Sequence, residues 1–197
     1  MSKTVEFFFD VGSPSSYLAW TQLPGIAAAA QARIVWRPML LGGVFKATGN
    51  QSPVAIPSKG RYMLQDLARF AKRYDVPLAF NPYFPINTLT LMRGAAGYLD
   101  SDKFQPYLQA IFEALWVRQQ NLGKPEVVAE VLNAAGLDVA EFERLVGLDA
   151  VKQRLMENTE EAVKRGVFGA PTCFVDDEMH FGQDRLDFVA EALARQG

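Results

Sequence analysis

The stretch Phe7-Phe8-Phe9-Asp10-Val11-Gly12-Ser13-Pro14-Ser15-Ser16-Tyr17 decides how the rest of the chain is read. An apolar run of β type stops at a glycine, and Ser-Pro then opens a helical pattern. Proline fits the first helical position, where its missing N–H is no loss, and the serine before it fits the N-cap. Ser13 therefore stands where unpaired backbone N–H groups converge, a place that stabilises an anion. A thiolate is such an anion, yet neither Ser13 nor Ser16 carries sulfur. Either Ser13 is a plain helix cap, or the thiol it handles is borrowed.

Working outward, Val5 to Phe9 reads as a buried strand and Pro14 to about Ala32 as helix. Pro24-Gly25 predicts a kink or two consecutive helices. Arg33 to Met39 reads as a second strand, ended or placed at an edge by Pro38. Strand–helix–strand at this spacing implies parallel pairing with a right-handed crossover. Leu41 to Lys59, holding Gly42, Gly43, Gly49, Pro53 and Pro57, reads as a long loop or short helical turns. A loop of that length in a compact domain is more often functional than not.

Helical spacing then recurs over Arg61–Tyr74, Thr88–Leu99, Phe104–Gln120, Pro125 to about Gly136, Asp138–Val146 and Asp149–Arg165, with Asn81–Pro85 irregular. Past Gly166, Thr172–Asp176 and Met179–Phe181 form a hairpin pattern, followed by a closing amphipathic helix. The predicted fold class is α/β, a thioredoxin-like fold with an all-helical insertion. Residues 1–40 and 149–197 would form the thioredoxin-like domain and 41–148 the helical insertion domain. In that fold Ser13 and Ser16 occupy the positions of a Cys-x-x-Cys pair. Gly169-Ala170-Pro171-Thr172 falls where a cis-proline faces the first helix, leaving the residue before it free to pair with an extended peptide-like ligand.

Composition narrows the function. With 49% apolar and 21% charged residues the chain has ample material for a core. A net charge of −2, with no basic block, gives no reason to expect nucleic acid or an anionic membrane surface. No apolar run approaches the roughly 20 residues of a membrane span, and no export sequence opens the chain. A single cysteine fits a reducing, cytoplasmic compartment rich in glutathione. Cys173, among apolar neighbours, reads as a buried, inert thiol. His180 is the only histidine, so no zinc pattern or Ser-His-Asp arrangement arises, and no metal site is expected. Gly42-Gly43 lacks the rest of a phosphate loop.

Other candidates have ordinary alternatives. Asp184 would either cap the last helix or face the cleft and meet a ligand ammonium. Lys46, Asn50 and Lys59 are either solvated loop residues or donors to ligand carboxylates, in a segment whose glycines permit close approach.

Taken together, Phe9-Asp10-x-x-Ser13-Pro14-x-Ser16-Tyr17, Arg37-Pro38, Gly49-Asn50, Lys59-x-x-Tyr62, Asp66-Leu67-Ala68-Arg69, Asn81-Pro82-x-Phe84-Pro85-x-Asn87-Thr88, Gly169-Ala170-Pro171-Thr172 and Phe181-Gly182-Gln183-Asp184-Arg185-Leu186 span nearly the whole chain. In these motifs it resembles the 2-hydroxychromene-2-carboxylate isomerases, relatives of kappa-class glutathione transferases in the DsbA-like thioredoxin superfamily. The resemblance implies glutathione as cofactor, with Ser13 holding its sulfur as thiolate. It also implies Ala170, before Pro171, pairing with the cysteinyl backbone, and Gln183 and Asp184 holding the γ-glutamyl end. Asn50 and Lys59 would lie near the glycyl carboxylate and the second substrate, and Lys46, Asn50 and Asn87 would contact that small aromatic carboxylate substrate. The implied reaction interconverts 2-hydroxychromene-2-carboxylate and trans-o-hydroxybenzylidenepyruvate by reversible thiolate addition. A kappa-like transferase and a non-enzymatic thioredoxin-like binding module are the alternatives. Relatives suggest a homodimer.

Overall fold

The computed structural model describes residues 3–195. β1 (Thr4–Phe9), α1 (Pro14–Ala29) and β2 (Arg33–Pro38) form the opening unit. Helices α2 (Leu41–Thr48), α3 (Pro57–Tyr74), α4 (Leu89–Tyr98), α5 (Phe104–Trp116), α6 (Pro125–Ala134), α7 (Val139–Gly147) and α8 (Asp149–Lys164) follow. β3 (Thr172–Val175), β4 (Glu178–Phe181) and α9 (Leu186–Arg195) close the chain. The sheet order is β2-β1-β3-β4. β1 runs parallel to β2 with Phe7 beside Trp36, whereas β3 is antiparallel to both β1 and β4. This is the DsbA-like thioredoxin fold with a helical insertion that the sequence predicts.

β1 sorts its side chains by the two-residue period of a strand. Val5, Phe7 and Phe9 join the main core, while Phe8 enters a smaller cluster with Met39, Val44 and Phe174 on the other face. The main core runs without a break from the sheet into the helical segment 41–148. Phe112 of α5 lies 6.4 Å from Phe9 and 5.3 Å from Trp20 between ring centres, and Trp116 Nε1 donates to Val11 O at 2.8 Å. The insertion is therefore packed into the wall behind the β1–α1 turn.

Two local expectations change. α1 is one helix through Pro24-Gly25, because Ala19, Leu23 and Ala27 bury a common face on either side of the proline. The Gly/Pro-rich stretch is mostly ordered. α2 occupies Leu41–Thr48, a 3-10 turn spans Pro53–Ala55, and α3 begins at Pro57, placing Lys59 in its first turn. Gly42 and Gly43 thus lie inside a helix; at Gly43 a Cβ would come within 3.1 Å of Thr159 Cγ2, so small size there lets α2 approach α8. No helix among the described residues is long and apolar enough to cross a membrane.

Candidate functional site

Ser13 has extended backbone geometry (φ −97°, ψ 117°), and Pro14 opens α1 directly after it. Its Oγ accepts from Ser16 N at 3.1 Å, the N-cap bond, and donates to Ala170 O at 2.9 Å. The Ala170–Pro171 peptide is cis, as the order of elements predicts; Phe84–Pro85 is a second cis bond that the sequence reading misses. Two motifs 157 residues apart thus meet through one hydroxyl. The Ser16 side chain is buried and its Oγ has no partner, so the second serine of the pair faces no ligand-bearing space.

The turn that presents Ser13 is held by Asp10, a buried carboxyl that receives three hydrogen bonds. Oδ1 accepts from Gly12 N (2.9 Å); Oδ2 accepts from Leu41 N (2.8 Å) and Thr88 Oγ1 (3.1 Å). Burial pushes this carboxyl above the ordinary aspartate value, against the opposing pull of its three donors. One side chain therefore ties the β1–α1 turn to the first residue of α2 and to the approach to α4.

A cleft of about 1000 Å3 opens in front of Ser13. Among the residues singled out from sequence it brings together Ser13, Asn50, Lys59, Ala170, Gln183 and Asp184. Phe45, Ile56, Met63, Phe84 and Phe168 supply much of the apolar wall. Pro171 is buried behind Ala170, and its carbonyl accepts from Gly182 N at 2.9 Å, which fixes the Gln183–Asp184 segment beside the cis-proline. Tyr74 secures the same segment from α3, donating to Gln183 O at 2.6 Å; burial first, then Asp187, push its phenol up to about 12.

Lys46 and Asn87 are not in this wall. Lys46 is exposed on α2, and Asn87 accepts from Leu89 N (3.0 Å) just before α4, beside a separate cavity of about 360 Å3. Asn50 borders the cleft but its amide is engaged. Nδ2 donates to Phe168 O (2.8 Å) and Oδ1 accepts from Gln51 N (2.9 Å), so it braces the segment leading to the cis-proline. Asp184 pairs with its neighbour Arg185 at 2.8 Å, and Lys59 has no ion pair among the described residues. Asp66, to which the sequence motifs attach no role, also lines the cleft. It follows Lys59 by seven positions on α3, two helical turns on the same face, and that spacing could have revealed it.

Gly182 carries a structural demand. Its φ is +99°, and a Cβ there would collide with the Asp184 carboxylate. Gly182→Ala is expected to cost about 1–3 kcal/mol from backbone strain alone and to displace Asp184. The check is thermal unfolding, and an unchanged midpoint would contradict it.

Cys173 is buried in β3, and burial pushes its thiol up to about 12. At neutral pH its thiolate fraction is then on the order of 10⁻⁵. Folded protein is expected to resist iodoacetamide at pH 7, with labelling only after denaturation; rapid modification of the folded chain would refute this.

The family model of the DSBA-like thioredoxin domain matches residues 4–194. The chain is 33% identical to a 2-hydroxychromene-2-carboxylate isomerase of Sphingobium xenophagum, over 98% of this chain and 99% of the relative. It is 28% identical to glutathione S-transferase kappa 1 of Rattus norvegicus, over 98% of this chain and 92% of that protein. Among solved structures, a 2-hydroxychromene-2-carboxylate isomerase superposes with a TM-score of 0.85 at 32% identity, covering 98% of this chain and 95% of the other. The chain belongs to the DsbA-like thioredoxin-domain family, and within it to the family of the 2-hydroxychromene-2-carboxylate isomerases, to which the kappa-class transferases are related.

Proposed function

We propose that this chain is a glutathione-dependent isomerase interconverting 2-hydroxychromene-2-carboxylate and trans-o-hydroxybenzylidenepyruvate. The observation that carries the reading is the Ser13 hydroxyl, set at the leading end of α1 and 2.9 Å from the carbonyl of Ala170, in a cleft that contains no thiol of its own. The chain's single cysteine is buried in β3, so a reactive sulfur has to arrive with a ligand. The donor set fits glutathione. Asp184 suits its ammonium, Lys59 suits a carboxylate, and the Ala170 backbone beside the cis-proline suits an extended peptide.

When bound, glutathione supplies a thiolate that adds reversibly to the substrate's alkene, so the bond becomes single, rotates and re-forms as the thiolate leaves. Ser13 stabilises the sulfur's charge by turning its O–H from Ala170 O towards it, keeping the N-cap bond from Ser16 N. Lys59 meets negative charge that develops on the substrate's carbonyl and carboxylate side. The apolar wall holds the aromatic ring and excludes water. Gln183 and Asp184 orient the γ-glutamyl end, with Asn50 bracing the opposite rim. A cytoplasmic homodimer is the setting this reading expects.

A kappa-like transferase is the second reading, favoured by the full-length similarity to kappa-class enzymes. Two assays separate them. With a hydroxychromene carboxylate, the proposal expects isomerisation that requires glutathione but does not consume it. Consumption of glutathione with a chlorinated nitrobenzene, without isomerisation, would replace it by the transferase. Calorimetry showing no glutathione binding would leave only a non-enzymatic module.

A further inference from the structure

On the far side of α2 from the cleft lies a second opening of about 590 Å3. Leu41, Gly42 and Phe45 face the cleft, whereas Leu40, Gly43 and Ala47 face this groove. The start of α4 and the exposed flank of α8 complete it. Its apolar surface comes from Leu40, Ala47, Leu89, Leu155, Met156 and Val163, all aliphatic or thioether.

Arg93 projects from α4 into that wall. It is half-buried, and among the described residues it makes no hydrogen bond or ion pair. The other charges have different circumstances. Lys152 is tied to Asp149 at 3.0 Å, while Lys164 and Glu160 are exposed on α8, and Glu160 forms no ion pair with Arg93. A guanidinium partly withdrawn from water and lacking an acid is a ready partner for a carboxylate, which it can grip through two parallel N–H···O bonds.

We propose that this groove binds a small aliphatic monocarboxylate, with Arg93 on the carboxylate and the alkyl body lying along Leu89, Leu155 and Met156. The volume falls in the range of small-molecule sites. No aromatic ring lines the groove, so a flexible chain suits it better than a stacked ring. The half-exposed Met156 can adapt to the chain's shape. This site is separate from the cleft and independent of the proposed isomerase reaction.

Octanoate is the probe, titrated into the full chain by calorimetry and followed by methyl NMR of the methionines. The expected result is saturable binding with a shift at Met156, weakened about tenfold or more in Arg93→Gln and unchanged in Ser13→Ala. Octylammonium should not compete. Ala47→Trp, which fills the groove from the exposed side of α2 and leaves Arg93 in place, should abolish binding. Equal octanoate affinity in Arg93→Gln would overturn the proposal, as would shifts confined to Met63 of the cleft or no saturable binding. Dissociation of a dimer by Met156→Glu, without octanoate binding to the parent, would assign the groove to a second copy instead.

Discussion

Ser13→Ala is expected to lower glutathione-dependent turnover about 25-fold at pH 7, with the deficit shrinking to less than twofold near pH 9. Lowering a thiol pKa from about 8.5 to near 6.5 takes roughly 2.7 kcal/mol of selective thiolate stabilisation. One charge-assisted hydrogen bond with a helix N-terminus has that magnitude. The thiolate fraction at pH 7 would then be roughly three-quarters with the hydroxyl and about 3% without it. At pH 9 both forms are mostly ionised, so the defect should be rescued by alkali. Rate profiles of both proteins from pH 6 to 9 make the measurement. A loss of the same size at every pH would mean that Ser13 serves only as the cap that receives Ser16 N.

Asp10→Ala should be the most damaging substitution to stability. It strands three donors, the part-buried Gly12 N and Leu41 N and the buried Thr88 Oγ1, and opens a void where three elements meet. An unsatisfied buried donor costs about 1–3 kcal/mol, so the expected loss is roughly 3–5 kcal/mol even after partial relaxation. That would lower the unfolding midpoint by about 6–20 °C at the usual 2–4 °C per kcal/mol. The pH dependence has a definite sign. A carboxyl raised on folding contributes stability that is fully present below its unfolded value and lost as pH rises through its folded value. The gap between parent and variant should therefore be larger in mild acid than at neutrality. Denaturant unfolding across that range would show it; a gap that widens with pH would mean the carboxyl is not raised.

The elements that hold the site were legible because their signals are local. An aromatic run ending at Gly-Ser-Pro announces a strand, a turn and a capped helix, and the Thr172–Phe181 hairpin is bounded by its own turn residues. What escaped depends on tertiary contact. Pro24-Gly25 looks like a break until the buried face of α1 is seen to run through it. Gly43 looks like a loop residue until α8 is found against it. Asp10 carries no local signal of its role, because its three partners come from positions 12, 41 and 88. The resemblance implies a substrate contact for Asn87; its observed bond is the local one in which its Oδ1 accepts from Leu89 N.

The bond from Ser13 Oγ to Ala170 O has a further consequence. A neutral newcomer, whether water or an un-ionised mercaptan, must outbid an amide oxygen for the same proton, and the two are nearly matched. A full negative charge wins that contest. Under the proposed function, the cleft would therefore select its guest by ionisation state before anything else about it.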